Sequence, residues 1–331
     1  MGSSSKQFQN WSLMARYFLR RLGTSVTMLF TVSLLVFVVL RVLPGDPVTI
    51  LLGPGNRGIG EDDIQEYRTK LGLDKPLLVQ YFLWFSNFLR GDMGNSLFSN
   101  EPVSSMFSGH IMPTVQLTLA AILLAIFLAI TLALIGAIWP RSFVDRFVTF
   151  IASLGMAIPT FITAIILLLT FGIFWPILPT RGYVPFSEDP IGNLKMLTMP
   201  AITLAFAAMA PILRMLRASL AEASSSPWTR TAEGKGLLWN RIVLKHVFPN
   251  ALIPSLTIVG ITFGRMLGGA VLIEFIFAWP GIGTMMVDAI FKRDYAVLQA
   301  TILFAAIASI TVNFIVDIAY GFVDPRLRLK S

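Results

Sequence analysis

Cysteine is absent from this chain of 331 residues, and histidine occurs only at His110 and His246. The absence of cysteine excludes disulfides, thiolate chemistry and metal sites with cysteine ligands. Two histidines argue against a metal centre built from imidazole groups. Charged residues are scarce as well, at 13% of the chain, where a soluble domain has about 25%. What the chain has instead is apolar surface, since 55% of its residues are hydrophobic.

Long apolar stretches account for this excess. A soluble fold could not bury so much apolar surface, and about 20 apolar residues are enough to cross the hydrocarbon core of a bilayer. Six stretches are long enough, and they cover residues 22–40, 111–140, 147–180, 196–213, 247 to about 277, and 295–316. The chain is therefore predicted to be an all-α membrane protein with six transmembrane helices, rather than a large soluble helical protein.

Basic residues are concentrated in the segments that six spans would place on one face. Residues 1–21 carry four bases and no acid, and residues 214–249 carry six bases and two acids. Residues 43–110, on the other face, hold eight acids and five bases. By the positive-inside rule both termini are predicted to be cytoplasmic. The net charge of +8 then reflects membrane orientation, and no nucleic-acid partner is expected.

The spans divide the chain into segments with different expected roles. The first apolar stretch is too long for a cleavable signal peptide, so it is expected to remain as an anchor. The predicted division is a cytoplasmic segment 1–21, a first transmembrane helix 22–42, a periplasmic segment 43–110, a five-helix core 111–323 and a cytoplasmic tail 324–331. The periplasmic segment is either a solvated cap or a contact surface for an external partner. Within it, residues 76–90 predict a helix lying against the membrane or another subunit.

The second long polar segment, 214–249, is expected to be a cytoplasmic loop made of three helical pieces. The pieces cover residues 218–226, 228–235 and 238–248, and the third is expected to end at Pro249. Two short helices with Gly236 between them would form a knob that fits a groove of a partner. A solvated loop, or a loop that touches anionic lipid, is the alternative.

This loop resembles the cytoplasmic motif of ABC importer permeases, which reads EAA, three residues, Gly, nine residues, I-x-L-P. Arg230-Thr231-Ala232 occupies the first three places, Gly236 has the expected spacing, and Pro249 ends the motif. Further segments resemble the dipeptide/oligopeptide permease family in the same order along the chain, and they are Leu43-Pro44-Gly45-Asp46-Pro47, Leu71-Gly72-Leu73-Asp74-Lys75-Pro76, Gly91-Asp92-Met93-Gly94-Asn95-Ser96, Phe277-Ala278-Trp279-Pro280-Gly281-Ile282-Gly283, Arg293-Asp294-Tyr295 and Val323-Asp324-Pro325-Arg326. The long outer segment after the first span is similar to that of the B-type permease.

The resemblance implies a type I ABC importer permease with a cytoplasmic coupling helix. Its expected partners are a second homologous permease, two ATP-binding cassette ATPases, and a periplasmic or lipid-anchored binding protein. The expected substrates are di- or oligopeptides, with nickel, glutathione, opines or sugars as alternatives. The chain has neither a phosphate-binding loop of the G-x-x-x-x-G-K-S/T kind nor a G-x-S-x-G elbow. It is therefore expected to be no enzyme and to hold no cofactor, with ATP and Mg bound by the partner ATPases.

The resemblance also assigns the residues that would contact the ATPase. They are Arg230, Thr231, Ala232, Glu233, Lys235, Gly236 and Pro249. Ala232 is expected to be small for close approach to the ATPase, and Gly236 to permit the turn. The sequence departs from the family pattern at four positions. Pro227 stands where an acid is usual, and Thr229 where a branched apolar residue is usual. Glu233 replaces a base, and Gly234 replaces an alanine.

Polar residues inside the predicted spans are candidates for interhelix contacts or for the transport pathway. They are Arg265, Glu274, Asn313 and Asp317. Arg265 and Glu274 are nine residues apart, on opposite sides of a helix, so they are not expected to pair.

Four glycines predict a stripe suited to packing against another permease, and they are Gly260, Gly264, Gly268 and Gly269. Three tryptophans at span ends are expected to be interfacial, namely Trp139, Trp175 and Trp279. A secondary carrier is the rival class, but it would leave the basic inner knob without a role.

Overall fold

The computed structural model describes residues 2–42, 69 and 74–323, and the ordered elements in these ranges are helices. One isolated antiparallel bridge joins Asn95 and Pro102. The α-helices are α1 (Gly2–Val42), α2 (Leu77–Leu89), α3 (Val103–Ile138), α4 (Phe143–Ala157), α5 (Thr160–Leu167), α6 (Pro190–Ser224), α7 (Pro227–Gly234), α8 (Trp239–Ile242), α9 (Phe248–Phe277), α10 (Ile282–Lys292) and α11 (Tyr295–Val323). Leu168–Phe174 and Val243–Val247 are π-helical turns. The predicted all-α class is confirmed. Within the predicted periplasmic segment 43–110, residues 43–68 and 70–73 lie outside the described residues, as does the predicted tail 324–331.

Five helices are long and apolar enough to cross a membrane by themselves. They are Phe18–Val42, Val103–Ile138, Pro190–Ser224, Trp239–Phe277 and Tyr295–Val316. The predicted span 147–180 is not one straight helix, because Phe143–Ala157 and Thr160–Phe174 meet at an angle of 105°. Pro159 causes the break, since it disfavours a helical conformation at Ile158, which is extended. Counting the bent pair as one span gives the predicted six.

Helices α3 and α6 form the centre of the core. Small residues recur every fourth position along α3 and are fully buried, namely Ala121, Ala125, Ala129 and Ala133. They form a narrow ridge on one face of the helix, which lets the two backbones approach closely. Leucine, methionine and isoleucine side chains of α6 fill the opposite side of the contact, including Met209, Ile212 and Leu216.

The glycines of α9 do not act as one stripe. A Cβ atom at Gly260 would overlap Val316 of α11, and one at Gly264 would lie 2.9 Å from Asn313 Oδ1. These two glycines pack against the same chain, so the predicted contact with another permease is wrong for them. Gly268 and Gly269 are exposed, with open space where a Cβ would be.

The third helical piece predicted within residues 214–249 does not end at Pro249. The backbone N–H of Phe248 donates to Val243 O, which closes a π-turn, and the chain continues from α8 into α9 as one span. Pro249 lies in the first turn of α9, where its missing N–H costs no hydrogen bond. The predicted boundary at this proline is therefore wrong, because the preceding π-turn accommodates it.

Helix α2 lies against α1, the first span of its own chain. Tyr81 is buried, and its hydroxyl is 2.8 Å from Ser33 Oγ. Its ring also makes edge contacts with Phe30 and Phe37. The other side of α2 is apolar and exposed, including Leu78 and Phe82. The helix thus has an intrachain contact on one side and a free apolar side suited to lipid or another subunit.

Candidate functional site

The segment between α6 and α9, which we call the inner segment after its predicted cytoplasmic side, has the shape that the sequence predicts. Helix α7 starts at Pro227, directly after an extended Ser226, and ends at a tight turn. In that turn the N–H of Gly236 donates to Glu233 O at 2.8 Å, and Gly236 has φ +77. Residues other than glycine are strained at this angle. The predicted turn at Gly236 is therefore observed.

Three contacts fix this segment to the body of the protein. The buried Thr229 donates a hydrogen bond to Ala223 O at the end of α6, at 2.9 Å. Trp239 Nε1 donates to Ala137 O near the end of α3, at 3.0 Å. Ala232 is half-buried and packs against the protein's own core. The segment is consequently a rigid extension of α3 and α6.

The opposite side of the segment is exposed. Its exposed residues are Arg230, Thr231, Glu233, Lys235 and Gly236, together with Trp228 and Leu238. Within the described ranges, none of the three charged side chains forms an ion pair. Ala232, assigned to the ATPase contact by resemblance, is turned largely towards its own chain, so its small size also serves internal packing. Pro249 is exposed, at the start of α9.

A buried polar clamp lies near the other end of the bundle. Glu274 is 0% exposed, and its Oε1 accepts a hydrogen bond from Thr114 Oγ1 at 2.7 Å. Its Oε2 accepts from Gly283 N at 2.6 Å and from Thr284 N at 3.3 Å. Thr114 Oγ1 in turn accepts from Ile282 N at 2.8 Å. Glu274 therefore joins α3, α9 and the start of α10, as an interhelix polar residue would.

The turn between α9 and α10 is packed around this carboxyl group. A Cβ atom at Gly281 or Gly283 would overlap it. Trp279 is fully buried, and its Nε1 donates to Pro113 O at 2.8 Å. The prediction that Trp279 is interfacial is wrong, because the turn folds the indole back between the helices. Trp139 and Trp175 are exposed at helix ends, as predicted.

Two of the segments quoted for the family resemblance meet in space. Ser96 Oγ donates to Asp294 Oδ2 at 2.5 Å, and both residues are buried. Asp294 Oδ1 also accepts from Val297 N in the first turn of α11, at 3.3 Å. The two residues are 198 positions apart, and the sequence does not indicate that they pair. An acid directly before a predicted helix is an N-cap signal that could have indicated Asp294.

The remaining polar candidates do not cluster with Glu274. Arg265 is exposed on α9 and forms no ion pair within the described residues. Asn313 lies against Gly264, where α9 and α11 are in close contact. Asp317 belongs to α11, but its side chain lies outside the described residues. Arg265 and Glu274 are thus separate features, in agreement with the sequence spacing.

Five long apolar helices and one bent pair, each of a length that can cross a bilayer, define a multi-spanning membrane protein. Residues 121–329 match the family described as binding-protein-dependent transport system inner membrane component, and residues 14–118 match its N-terminal family. The chain therefore belongs to this family, as the inner-membrane permease of an ABC importer. The resemblance found in the sequence is confirmed.

Two curated relatives within this family are similar to the chain over nearly its whole length. The glutathione transport system permease protein GsiC of Escherichia coli (strain K12) is 36% identical over 320 residues, which cover 96% of this chain and 100% of the relative. The "Putative peptide transport system permease protein BMEII0209" of Brucella melitensis biotype 1 is 34% identical over 316 residues, 96% of this chain and 99% of the relative. The similarity to both extends over nearly the whole chain.

Proposed function

We propose that this permease moves di- or oligopeptides inward by alternating access, driven by ATP hydrolysis on partner subunits. The single observation that carries the ATP-driven mechanism is the inner segment, which is fixed to α3 and α6 yet leaves Arg230, Glu233 and Lys235 exposed. A rigid helix seated in a partner's groove transmits rigid-body motion from one subunit to the other. The chain has no phosphate-binding loop of its own, so ATP and Mg are bound by the partners.

The proposed assembly has one further permease, two ATPases and a binding protein. Both termini and the inner segment are cytoplasmic, and residues 43–110 are periplasmic, because the bases are concentrated on one side. Asn313 and Asp317 are proposed as interhelix polar residues of α11, and Arg265 as a residue of the pathway or of a polar interface. Peptide is the first candidate substrate. Glutathione is the second, because the relative in Escherichia coli is a glutathione permease.

Cysteine crosslinking tests the coupling role, since the chain has no cysteine of its own. A cysteine at Glu233 or Lys235 should form a disulfide with a cysteine in the ATPase groove, in a yield that changes with nucleotide. A cysteine at the half-buried Ala232 is the matched control, and it should react less because it packs inward. If Glu233 and Lys235 formed no disulfide with the ATPase while import continued, the coupling role would belong elsewhere.

Orientation and energy source have separate tests. In cells with a permeabilised outer membrane, an impermeant thiol reagent should label a cysteine at Ser105 and spare one at Ser225. The opposite pattern would reverse the proposed orientation.

The purified chain without its partners should hydrolyse no ATP. Measurable hydrolysis by the chain alone would contradict the proposal that the partner subunits bind and hydrolyse ATP.

A further inference from the structure

One side of α9 is exposed over half the length of the helix. The exposed residues of this side, which we call the α9 face, are Ile261, Arg265, Gly268, Gly269, Leu272 and Phe275. At 3.6 residues per turn these positions fall within about 120° around the helix. Ala270 and Glu274 lie on the opposite side at the same height, and both are buried. The α9 face is therefore a continuous strip of one helix that the rest of the described chain does not cover.

Arg265 lies deep in the membrane on this face. It is nine residues from Glu274, whose hydrogen bond to Thr114 fixes that end of α9, and 16 residues from Pro249 at the other end. At 1.5 Å per residue these separations are about 13.5 Å and 24 Å. A hydrocarbon core of about 30 Å fits between the two ends only if it includes Arg265. Long helical side chains also point towards the N-terminus of their helix, so snorkelling of Arg265 towards the nearer surface is disfavoured.

The charge of Arg265 makes acyl chains an unsuitable cover for the α9 face. An arginine surrounded by hydrocarbon is strongly unfavourable, and such residues almost always face a cavity or a protein partner. Within the described ranges no carboxylate forms an ion pair with Arg265, and its neighbours on the face are apolar or glycine. At Gly268 and Gly269 nothing lies within 4 Å of the place of a Cβ atom. The guanidinium and the backbone beside it are thus both open to a ligand.

We infer that the α9 face lines the transport pathway, at the boundary with the second permease, and that Arg265 binds the free carboxylate of the substrate there. The inference rests on the proposed function and deepens it. Peptides and glutathione, the proposed substrates, share a carboxylate that would balance the charge of Arg265. The gap at Gly268 and Gly269 lets a peptide backbone approach α9 closely. A carboxylate of the second permease is the competing partner for the guanidinium.

Cysteine labelling tests where the α9 face lies, since the chain has no cysteine of its own. In the assembled transporter, with and without ATP, a water-soluble thiol reagent should modify a cysteine at Ile261 or Leu272 and spare one at Leu256. Leu256 is the matched control, because it is exposed to a similar degree on the opposite side of α9, 44% against 47% for Leu272. If neither Ile261 nor Leu272 reacted, lipid or a packed interface would cover the face. Equal reaction at all three positions would mean general access of water, and either result would overturn the inference.

Paired substrates test the role of the guanidinium. Import of a tripeptide is compared with import of its carboxyl-terminal amide, using one binding protein throughout, so that the preference of that protein cancels between variants. Arg265→Leu should lower the ratio of the two imports about three- to tenfold. Arg265→Lys keeps the charge and should hold the ratio within about twofold of wild type. An unchanged ratio in Arg265→Leu would overturn the assignment. Loss of assembly with the second permease would instead pair Arg265 with a carboxylate of that subunit, and would overturn it too.

A glycine variant makes the test independent of the arginine. Gly269→Leu fills the gap, and it should lower import of both peptide forms without changing the melting temperature, because its side chain enters open space. Gly23→Leu is the control, since Gly23 is an exposed glycine of α1 with equally open space, and import should be unchanged. Normal import by Gly269→Leu would show that no substrate passes this face. A wild-type transporter that imports no peptide would contradict the proposed function itself, whereas the outcomes above contradict only the inference.

Discussion

The polar clamp at Glu274 and the inner segment use polar residues in opposite ways. In the clamp, the carboxyl group of Glu274 and the hydroxyl of Thr114 meet partners within the chain, and Gly281 leaves no room for a side chain. In the inner segment the charged side chains are exposed, and Gly236 has open space around it. A buried polar network with all its partners inside one chain maintains the shape of that chain. An exposed charged face on a rigid base is a surface for another molecule.

The energetics explain why the clamp is closed. A buried polar group without a hydrogen bond costs several kcal/mol, so a carboxyl group at 0% exposure requires donors nearby. Glu274 has three of them. The charges of the inner segment remain in water and carry no such cost. Substitutions in the clamp should therefore affect stability, whereas those in the inner segment should affect transport.

The largest expected effect on stability is that of Gly281→Ala. The added Cβ would overlap the carboxyl group of Glu274, and overpacking of this kind costs about 1–3 kcal/mol. The melting temperature of the detergent-solubilised chain should fall clearly. Gly268→Ala is the matched control, because nothing lies where its Cβ would be. Equal melting temperatures for the two variants would mean that the clamp relaxes without cost.

Gly236→Trp should abolish import and leave the fold intact. The positive φ angle strains any other residue by about 1–2 kcal/mol, and the indole would obstruct the proposed ATPase contact. Chain yield should stay near wild type and the melting temperature should fall no further than in Gly236→Ala, while import is lost and ATP hydrolysis is no longer coupled to it. Two control variants separate these effects. Gly236→Ala introduces the backbone strain without the bulk of an indole, and Gly234→Trp introduces the bulk at a residue without a positive φ. Normal import by Gly236→Trp would remove the inner segment from the transport mechanism.

The sequence predicts the spans well because hydrophobic length is a local property. It also predicts the turn at Gly236, since that glycine has a fixed place in a known motif. It could not predict the bend at Pro159 or the π-turn before Pro249, because a proline inside an apolar stretch is compatible with either a break or a continuous helix.

Contacts between residues far apart in the chain could not be predicted from the sequence either. Trp279 looked interfacial from its position at a span end, but the glycines that follow it allow the turn to fold inward. The stripe on α9 gave no sign that Gly260 and Gly264 pack on α11 while Gly268 and Gly269 stay open. Such contacts depend on which helices become neighbours.

Arg265→Leu should have an effect on import between that of Gly236→Trp and that of Thr229→Val. It tests α9, the helix that connects the inner segment to the clamp at Glu274. Arg265 is exposed like the charges of the inner segment, although it is about 20 Å along the helix from Ala251. Assembly should be intact, because no described contact is lost. If the guanidinium meets substrate, import of peptides with a free carboxyl terminus should slow about three- to tenfold. Import of the amidated peptide is the control. Normal import of every peptide would make Arg265 a tolerated interfacial residue.

Thr229→Val should have the smallest effect, and it tests whether the inner segment has a clamp of its own. Thr229 is buried and donates to Ala223 O at 2.9 Å, at a position where the family usually has a branched apolar residue. Valine has nearly the same shape, and Ala223 O still accepts the N–H of Ser226 at 3.3 Å. Replacing the hydroxyl should therefore change stability by less than about 1 kcal/mol and import by less than about twofold. Thr229→Ala removes the buried methyl group as well, so it should weaken coupling more than Thr229→Val does. If Thr229→Val were the more harmful of the two, the hydroxyl would be what holds α7 on α6, and the inner segment would depend on a buried polar contact just as the clamp at Glu274 does.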